Sequence, residues 1–271
     1  MHTIRHPAVA GSFYPAQASV LLHDVMTLLA AARPPAPASA DLPKALIVPH
    51  AGYIYSGATA AQAYARLAGG CHTIRRVVLL GPVHRVPIRG LALPGVDFFA
   101  TPLGEVEIDQ AAVADIMPLH QVVVSRAAHA QEHALEVQLP FLQVMLDDFK
   151  LLPLAVGDAT PAEVAQVLER LWGGPETLIV ISSDLSHFLT YLAAQALDQA
   201  TLHSMLALQG SLTHNQACGA TPVNGLLLQA RQHHLQPRLL QQCNSGDTAG
   251  DKNRVVGYAA LTFMEEAAHA R

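Results

Sequence analysis

Three short, strongly apolar runs in this chain are each followed within a few residues by a histidine. Residues 45–48 lead into Pro49-His50, and residues 77–80 into Gly81-Pro82-Val83-His84. Residues 178–181 lead into Ser182-Ser183-Asp184-Leu185-Ser186-His187. Neutral imidazole is the commonest metal ligand and also exchanges protons near neutrality. His50 and His84, each beside small or turn-forming neighbours, are candidate metal ligands. A strand-end histidine held only by hydrogen bonds is the plainer alternative for either. His187 is a candidate general acid or base, and Asp184 a carboxylate that orients an imidazole or caps the following helix.

Weaker candidates lie elsewhere. His133 and Glu136 are three residues apart, a spacing that shares one helix face, and read either as catalytic and substrate-binding groups or as an ordinary ion pair. Tyr53, three residues after His50, is a candidate substrate contact. Cys218 precedes a predicted helix whose positive end favours the metal-binding thiolate; a buried, inert cysteine is the alternative. With 15 histidines in 271 residues, a histidine such as His23, His72, His120 or His129 carries little weight alone, so position relative to strands must select.

Runs of four branched aliphatics bounded by turn residues read as buried strands of an α/β sheet. In such sheets ligands bind outside the carboxyl ends of the strands, where all three histidines would then fall. Around the strands the pattern alternates. Helices are expected near residues 19–32, 56–67, 109–117, 132–146, 191–208 and 221–233. Thr160-Pro161-Ala162-Glu163 has the pattern of a capped helix start. Strands are expected near 122–124, 151–156, 238–240 and 255–263, with short ones between 90 and 109. Four prolines make residues 33–43 a loop. No break resembles a linker, so residues 1–271 read as one α/β domain, a central mixed sheet flanked by helices, with its core at about 8–263.

Composition narrows the function classes. Half the residues (51%) are hydrophobic and only 5% aromatic, so the core is aliphatic; the formal charge of −5 leaves no basic stripe for nucleic acid. No apolar stretch is long enough to span a bilayer, and the start lacks the apolar core of a signal peptide, so a cytoplasmic location is expected. Cys71, Cys218 and Cys243 are an odd set without paired metal spacing, which disfavours a disulfide framework. Nucleotide-binding glycine motifs and the G-x-S-x-G elbow are absent.

Six motifs in order, Val9-Ala10-Gly11-Ser12-Phe13-Tyr14, Pro49-His50-Ala51-Gly52-Tyr53, Leu80-Gly81-Pro82-Val83-His84, Glu132-His133-Ala134-Leu135-Glu136, Ser182-Ser183-Asp184-Leu185-Ser186-His187 and Cys218-Gly219, resemble the Memo family, whose bacterial and archaeal members are also called AmmeMemoRadiSam system protein B. The resemblance implies a fold similar to class III extradiol dioxygenases. It implies a cleft in which His50, His84 and Cys218 form a metal site, with His187 in the acid/base position. A cysteine stands where those dioxygenases have a carboxylate. Thiolate suits iron, copper or zinc, and ring-cleaving activity does not carry over with the fold. The expected function is a metal-dependent redox enzyme on a small organic substrate, iron or copper favoured. A peptide- or protein-binding module using the same cleft and a zinc hydrolase are the alternatives. Family naming also points to a radical-SAM protein and an AMMECR-type protein as partners. A homo-oligomer is left open.

Overall fold

The computed structural model describes residues 2–32 and 42–265, so most of the proline-rich 33–43 segment lies outside the described residues. Within it the chain runs β1 (Ile4–Arg5), α1 (Ala18–Ala31), β2 (Ala45–Val48), α2 (Tyr53–Tyr64), β3 (Arg76–Pro82), β4 (Leu91–Leu93), β5 (Phe98–Thr101) and β6 (Gly104–Glu107). It continues α3 (Gln110–Ile116), β7 (Val122–Val124), α4 (Arg126–Ala130), α5 (Leu139–Met145), β8 (Lys150–Val156), α6 (Pro161–Arg170), β9 (Thr177–Ser182) and β10 (His187–Leu189). It ends α7 (Tyr191–Leu206), α8 (Ala220–Gln232), β11 (Gln236–Asn244) and β12 (Val255–Met264).

The apolar runs become the middle of a nine-stranded mixed sheet ordered β10-β12-β2-β9-β3-β8-β4-β7, with β11 on β12. β2, β9, β3 and β8 are mutually parallel neighbours, so their carboxyl ends share one edge. β12 and β4 close this parallel block by antiparallel pairing on either side. A separate three-stranded sheet joins β1, β5 and β6.

Period-two alternation explains why the central runs are apolar throughout: both faces are buried. Leu46, Val48, Val77, Leu79, Leu178 and Val180 pack toward α1, α2 and α5. Ala45, Ile47, Val78, Leu80, Ile179 and Ile181 pack toward α3, α6 and α8. The capping box at Thr160 forms, its hydroxyl accepting from the Glu163 N–H while the Glu163 carboxylate accepts from the Thr160 N–H.

Three local expectations are corrected. Residues 132–146 do not make one helix: a turn leads into a 3-10 segment, Glu136–Gln138, before α5 begins at Leu139. Pro140 is tolerated there because it sits in the first turn, where its missing N–H has no partner to lose. The strand expected at 238–240 extends over Gln236–Asn244, because pairing to β12 rather than its own mostly polar side chains holds it. Asp184 does not cap a helix, since β10 intervenes before α7 and its carboxylate accepts from the His50 N–H at 2.8 Å.

Candidate metal centre

β2 and β3 flank β9, so the turns after these three strands meet above the sheet. His50 stands two residues beyond β2 and His84 two beyond β3. A third imidazole, His133, comes from the turn before the 3-10 segment. One donor atom from each of His50, His84 and His133 lies within 4.8 Å of the others. The rings of His84 and His133 stack at 4.6 Å between centroids, and each stands edge-on to His50.

Hydrogen bonding fixes which nitrogens face the cluster. The Ser182 hydroxyl donates its single proton to the Ala134 carbonyl at 2.6 Å and accepts from the Gln138 amide at 2.9 Å. It can therefore only accept from His50, whose Nδ1 lies 2.9 Å away. His50 thus carries its proton on Nδ1 and presents the Nε2 lone pair. His84 reaches the same state by another route: its Nδ1 donates to the Glu132 carboxylate at 2.8 Å, and its backbone N–H donates to the same carboxylate at 2.6 Å. An ionised carboxylate only accepts, so Nδ1 of His84 carries a proton and Nε2 is the nitrogen left to face the cluster. His133 lies 3.4 Å from Glu132 through Nδ1, with no hydrogen bond fixing it.

Protonation agrees with this arrangement. Burial, reinforced by the neighbouring His84, pushes His50 down to about 3. Burial and His50 bring His133 down to about 4. Glu132 is 1% exposed; burial alone would raise it, but bonds from His84 and the Ala134 N–H outweigh that and hold it at about 2. At neutral pH His50 and His133 are neutral imidazoles and Glu132 is an ionised carboxylate that accepts from His84, the ligand state that a metal requires.

Cys218 reaches the cluster from the loop before α8. Its Sγ is 3.3 Å from Nε2 of His50, and it accepts from the Asp184 N–H at 3.3 Å. The Cys218 N–H donates to the Asp184 carbonyl at 3.2 Å, so Asp184 ties the cysteine loop to the turn bearing His50. Burial, then the charge of Asp184, pushes the Cys218 thiol up to about 12, against bonds from Asp184, Ser183 and Gly219 that favour the thiolate. Burial likewise holds Asp184 above the usual carboxylate range.

His187 lies outside the three-histidine group, on β10. Its Nδ1 donates to the Leu185 carbonyl at 2.9 Å, which leaves Nε2 as the basic position. It is near enough that its charge would oppose protonation of His50. Tyr53 and Glu136 are engaged elsewhere. The Tyr53 hydroxyl donates to the Val137 carbonyl at 2.7 Å, and its ring packs on Phe141. Glu136 is fully buried and accepts from the Arg5 guanidinium, the Ala8 and Val9 N–H groups and the Tyr14 hydroxyl. The expected His133–Glu136 face dissolves because the backbone there is not α-helical: one side chain turns to the cluster, the other to the N-terminal turn. That turn returns to the site through Phe13, whose ring lies 4.8 Å from His133.

Sequence reasoning missed Glu132, Ser182 and Gln138 as supports. Glu132 directly precedes a histidine, the one local hint; Ser182 and Gln138 acquire their roles through contacts 132 and 44 residues away in sequence.

The comparisons decide the family. A model described as Memo-like protein matches residues 5–262. The chain belongs to the Memo family. A MEMO1 family protein of Aquifex aeolicus is 36% identical, covering 96% of this chain and 99% of the relative. MEMO1 family proteins of Metallosphaera sedula and Archaeoglobus fulgidus are 33% and 34% identical over the same shares. An uncharacterized protein, JW3007, from Escherichia coli K12 has a looser likeness, with a TM-score of 0.48 and 11% identity over 80% of this chain and 98% of that one. No described helix of this Memo-family chain is long and apolar enough to cross a membrane.

A prediction about acid follows for the metal-free protein. His50, His133 and His129 all titrate below their ordinary value; burial lowers His129 to about 4. Below about pH 6.5 the unfolded chain takes up protons that the fold refuses, so stability falls with falling pH. Glu132 adds its loss below about pH 4.5, and the raised Asp184 offsets part of it. Denaturant titrations of chelator-treated protein should lose about 5 kcal/mol of unfolding free energy between pH 7 and pH 5. A flat profile there would contradict neutral, buried imidazoles.

Proposed function

We propose that this Memo-family protein is a metal-dependent redox enzyme acting on a small organic substrate. The observation that supports this most directly is the group formed by His50, His84 and His133, two of whose rings are held in the ligand tautomer, with the Cys218 sulfur beside His50. His50, His84 and Cys218 would hold the metal, with His133 as a further donor. Imidazole with thiolate suits iron or copper, and zinc less specifically. Bound iron or copper would supply one-electron and oxygen chemistry.

The chain's own residues supply the rest. Pro82, His84, Arg85, Ile88, His214 and Cys218 help line an open cavity of about 480 Å³, a size suited to a small molecule. His187, with Nδ1 committed to Leu185, can accept a proton at Nε2 and return it. The hydrolase alternative loses ground because the nearby carboxylates are committed. Glu132 is bound by His84 and Ala134, and Asp184 by the His50 N–H. A radical-SAM protein and an AMMECR-type protein are the partners this reading favours.

The test is to load metal-free protein with Fe(II), Cu(II) or Zn(II) and follow oxygen uptake against a panel of small phenolic and thiol compounds. Turnover with iron or copper but not zinc is expected, with His187→Ala slowing it about 100-fold or more, the usual weight of general acid–base catalysis. No uptake with any metal, together with stoichiometric binding of a polypeptide, would replace this reading by the binding module.

A further inference from the structure

The amino-terminal edge of the sheet holds a second group of metal donors that the proposed function does not use. Because β3 and β8 are adjacent and parallel, with Arg76 opposite Lys150, the loops entering them lie side by side. The β3 loop carries Cys71 and His72, and the β8 loop carries Asp147. One donor atom from each of these three lies within 4.8 Å of the other two. Nδ1 of His72 is already 2.5 Å from the Asp147 carboxylate.

The backbone holds these donors in register. The Asp147 N–H donates to the Cys71 carbonyl at 3.4 Å, and the Lys150 N–H to the Arg75 carbonyl at 2.9 Å. The Arg75 guanidinium donates to the Asp148 carbonyl at 3.1 Å. Cys71 is half-buried, while the His72 and Asp147 side chains are 81% and 55% exposed, so both can rotate without disturbing the core.

We infer that Cys71, His72 and Asp147 form a second binding site, for a borderline-soft divalent cation of the zinc type. The donor set selects the class: thiolate and imidazole suit zinc, whereas calcium and magnesium take oxygen donors. Zinc bonds of about 2.0–2.3 Å around a tetrahedral ion place donors some 3.5 Å apart, close to the 4.8 Å within which these three donor atoms already lie. Three protein ligands leave the fourth position to water. Since β3 spans seven residues, the site stands roughly 20 Å from His84 and is independent of the histidine cluster. An ion there would pin the two entering loops together.

Cobalt(II) reports on the inference, because thiolate coordination gives a ligand-to-metal absorption band. Cys218→Ala protein titrated with cobalt should retain such a band with one equivalent bound, and Cys71→Ser in that background should abolish it. In wild-type protein, zinc should protect Cys71 from iodoacetamide, read by peptide mass, and Asp147→Asn should weaken that protection at least 10-fold in zinc concentration. Absence of the band in folded Cys218→Ala protein, or alkylation of Cys71 at the same rate with and without zinc, overturns the site. Neither outcome bears on oxygen uptake by the histidine cluster.

Discussion

His50→Ala should leave the histidine centre nearly empty in protein purified without oxygen or chelator, where the wild type retains close to one equivalent, while zinc held by Cys71, His72 and Asp147 is unaffected. His50 is the most deeply placed donor, 2% exposed, and its Nε2 is directed by Ser182 toward Cys218 and the other imidazoles. Losing a mere supporting partner of a metal ligand costs about 10–100-fold in affinity, so losing this ligand should cost at least the upper figure. Glu132→Gln supplies the comparison. It keeps the volume but no longer enforces the His84 tautomer, and should weaken binding by about 10–100-fold without abolishing it. Cys218→Ala separates a three-imidazole set from one that needs the thiolate. If it alone leaves affinity unchanged and proton release on binding disappears nowhere in the series, the sulfur is not a ligand. Elemental analysis and chelator competition read all three variants, and unchanged metal content in folded His50→Ala protein would refute the centre.

Glu136→Ala should be the most destabilising single substitution near the site, by about 3–5 kcal/mol, because it leaves the Arg5 guanidinium buried without its counter-charge. The Ala8 and Val9 N–H groups and the Tyr14 hydroxyl lose their acceptor at the same time. The loss should appear as a lower denaturation midpoint and as faster amide exchange in residues 8–15. A cycle with Arg5→Ala should be far from additive, since both changes break one buried pair. A cost below about 1 kcal/mol would mean that the N-terminal turn is not held by this carboxylate.

Strand-scale features were legible from composition because they rest on local periodicity. Residues 45–48, 77–80 and 178–181 are apolar on both faces, and that pattern has no stable setting other than the middle of a covered sheet. Thr160 was legible for the same reason, its cap being satisfied within three residues. The histidines at strand ends then fell on one edge by topology. What stayed illegible depends on distant packing. Glu136 shares a helical spacing with His133, yet it serves residues 5–14, more than 120 positions away. Cys218 looked like an activated thiol at a helix start, but its setting is decided by Asp184 and by burial. Ser182 carried no hint that its hydroxyl would assign the His50 tautomer, since the His50 turn and the 134–138 segment must both converge on it first.

The order of strands in the sheet also sets a timetable. β2, which delivers His50, pairs on one side with β9 and on the other with β12, the last of the described strands in chain order. During synthesis β2 must wait for more than two hundred further residues before both edges are covered, and closing such long loops slows folding. Cys218 and β12 both follow β9 in chain order. The pocket therefore closes only once Cys218 and β12 have joined β2, so a metal held by His50 and Cys218 together would bind at or after that step.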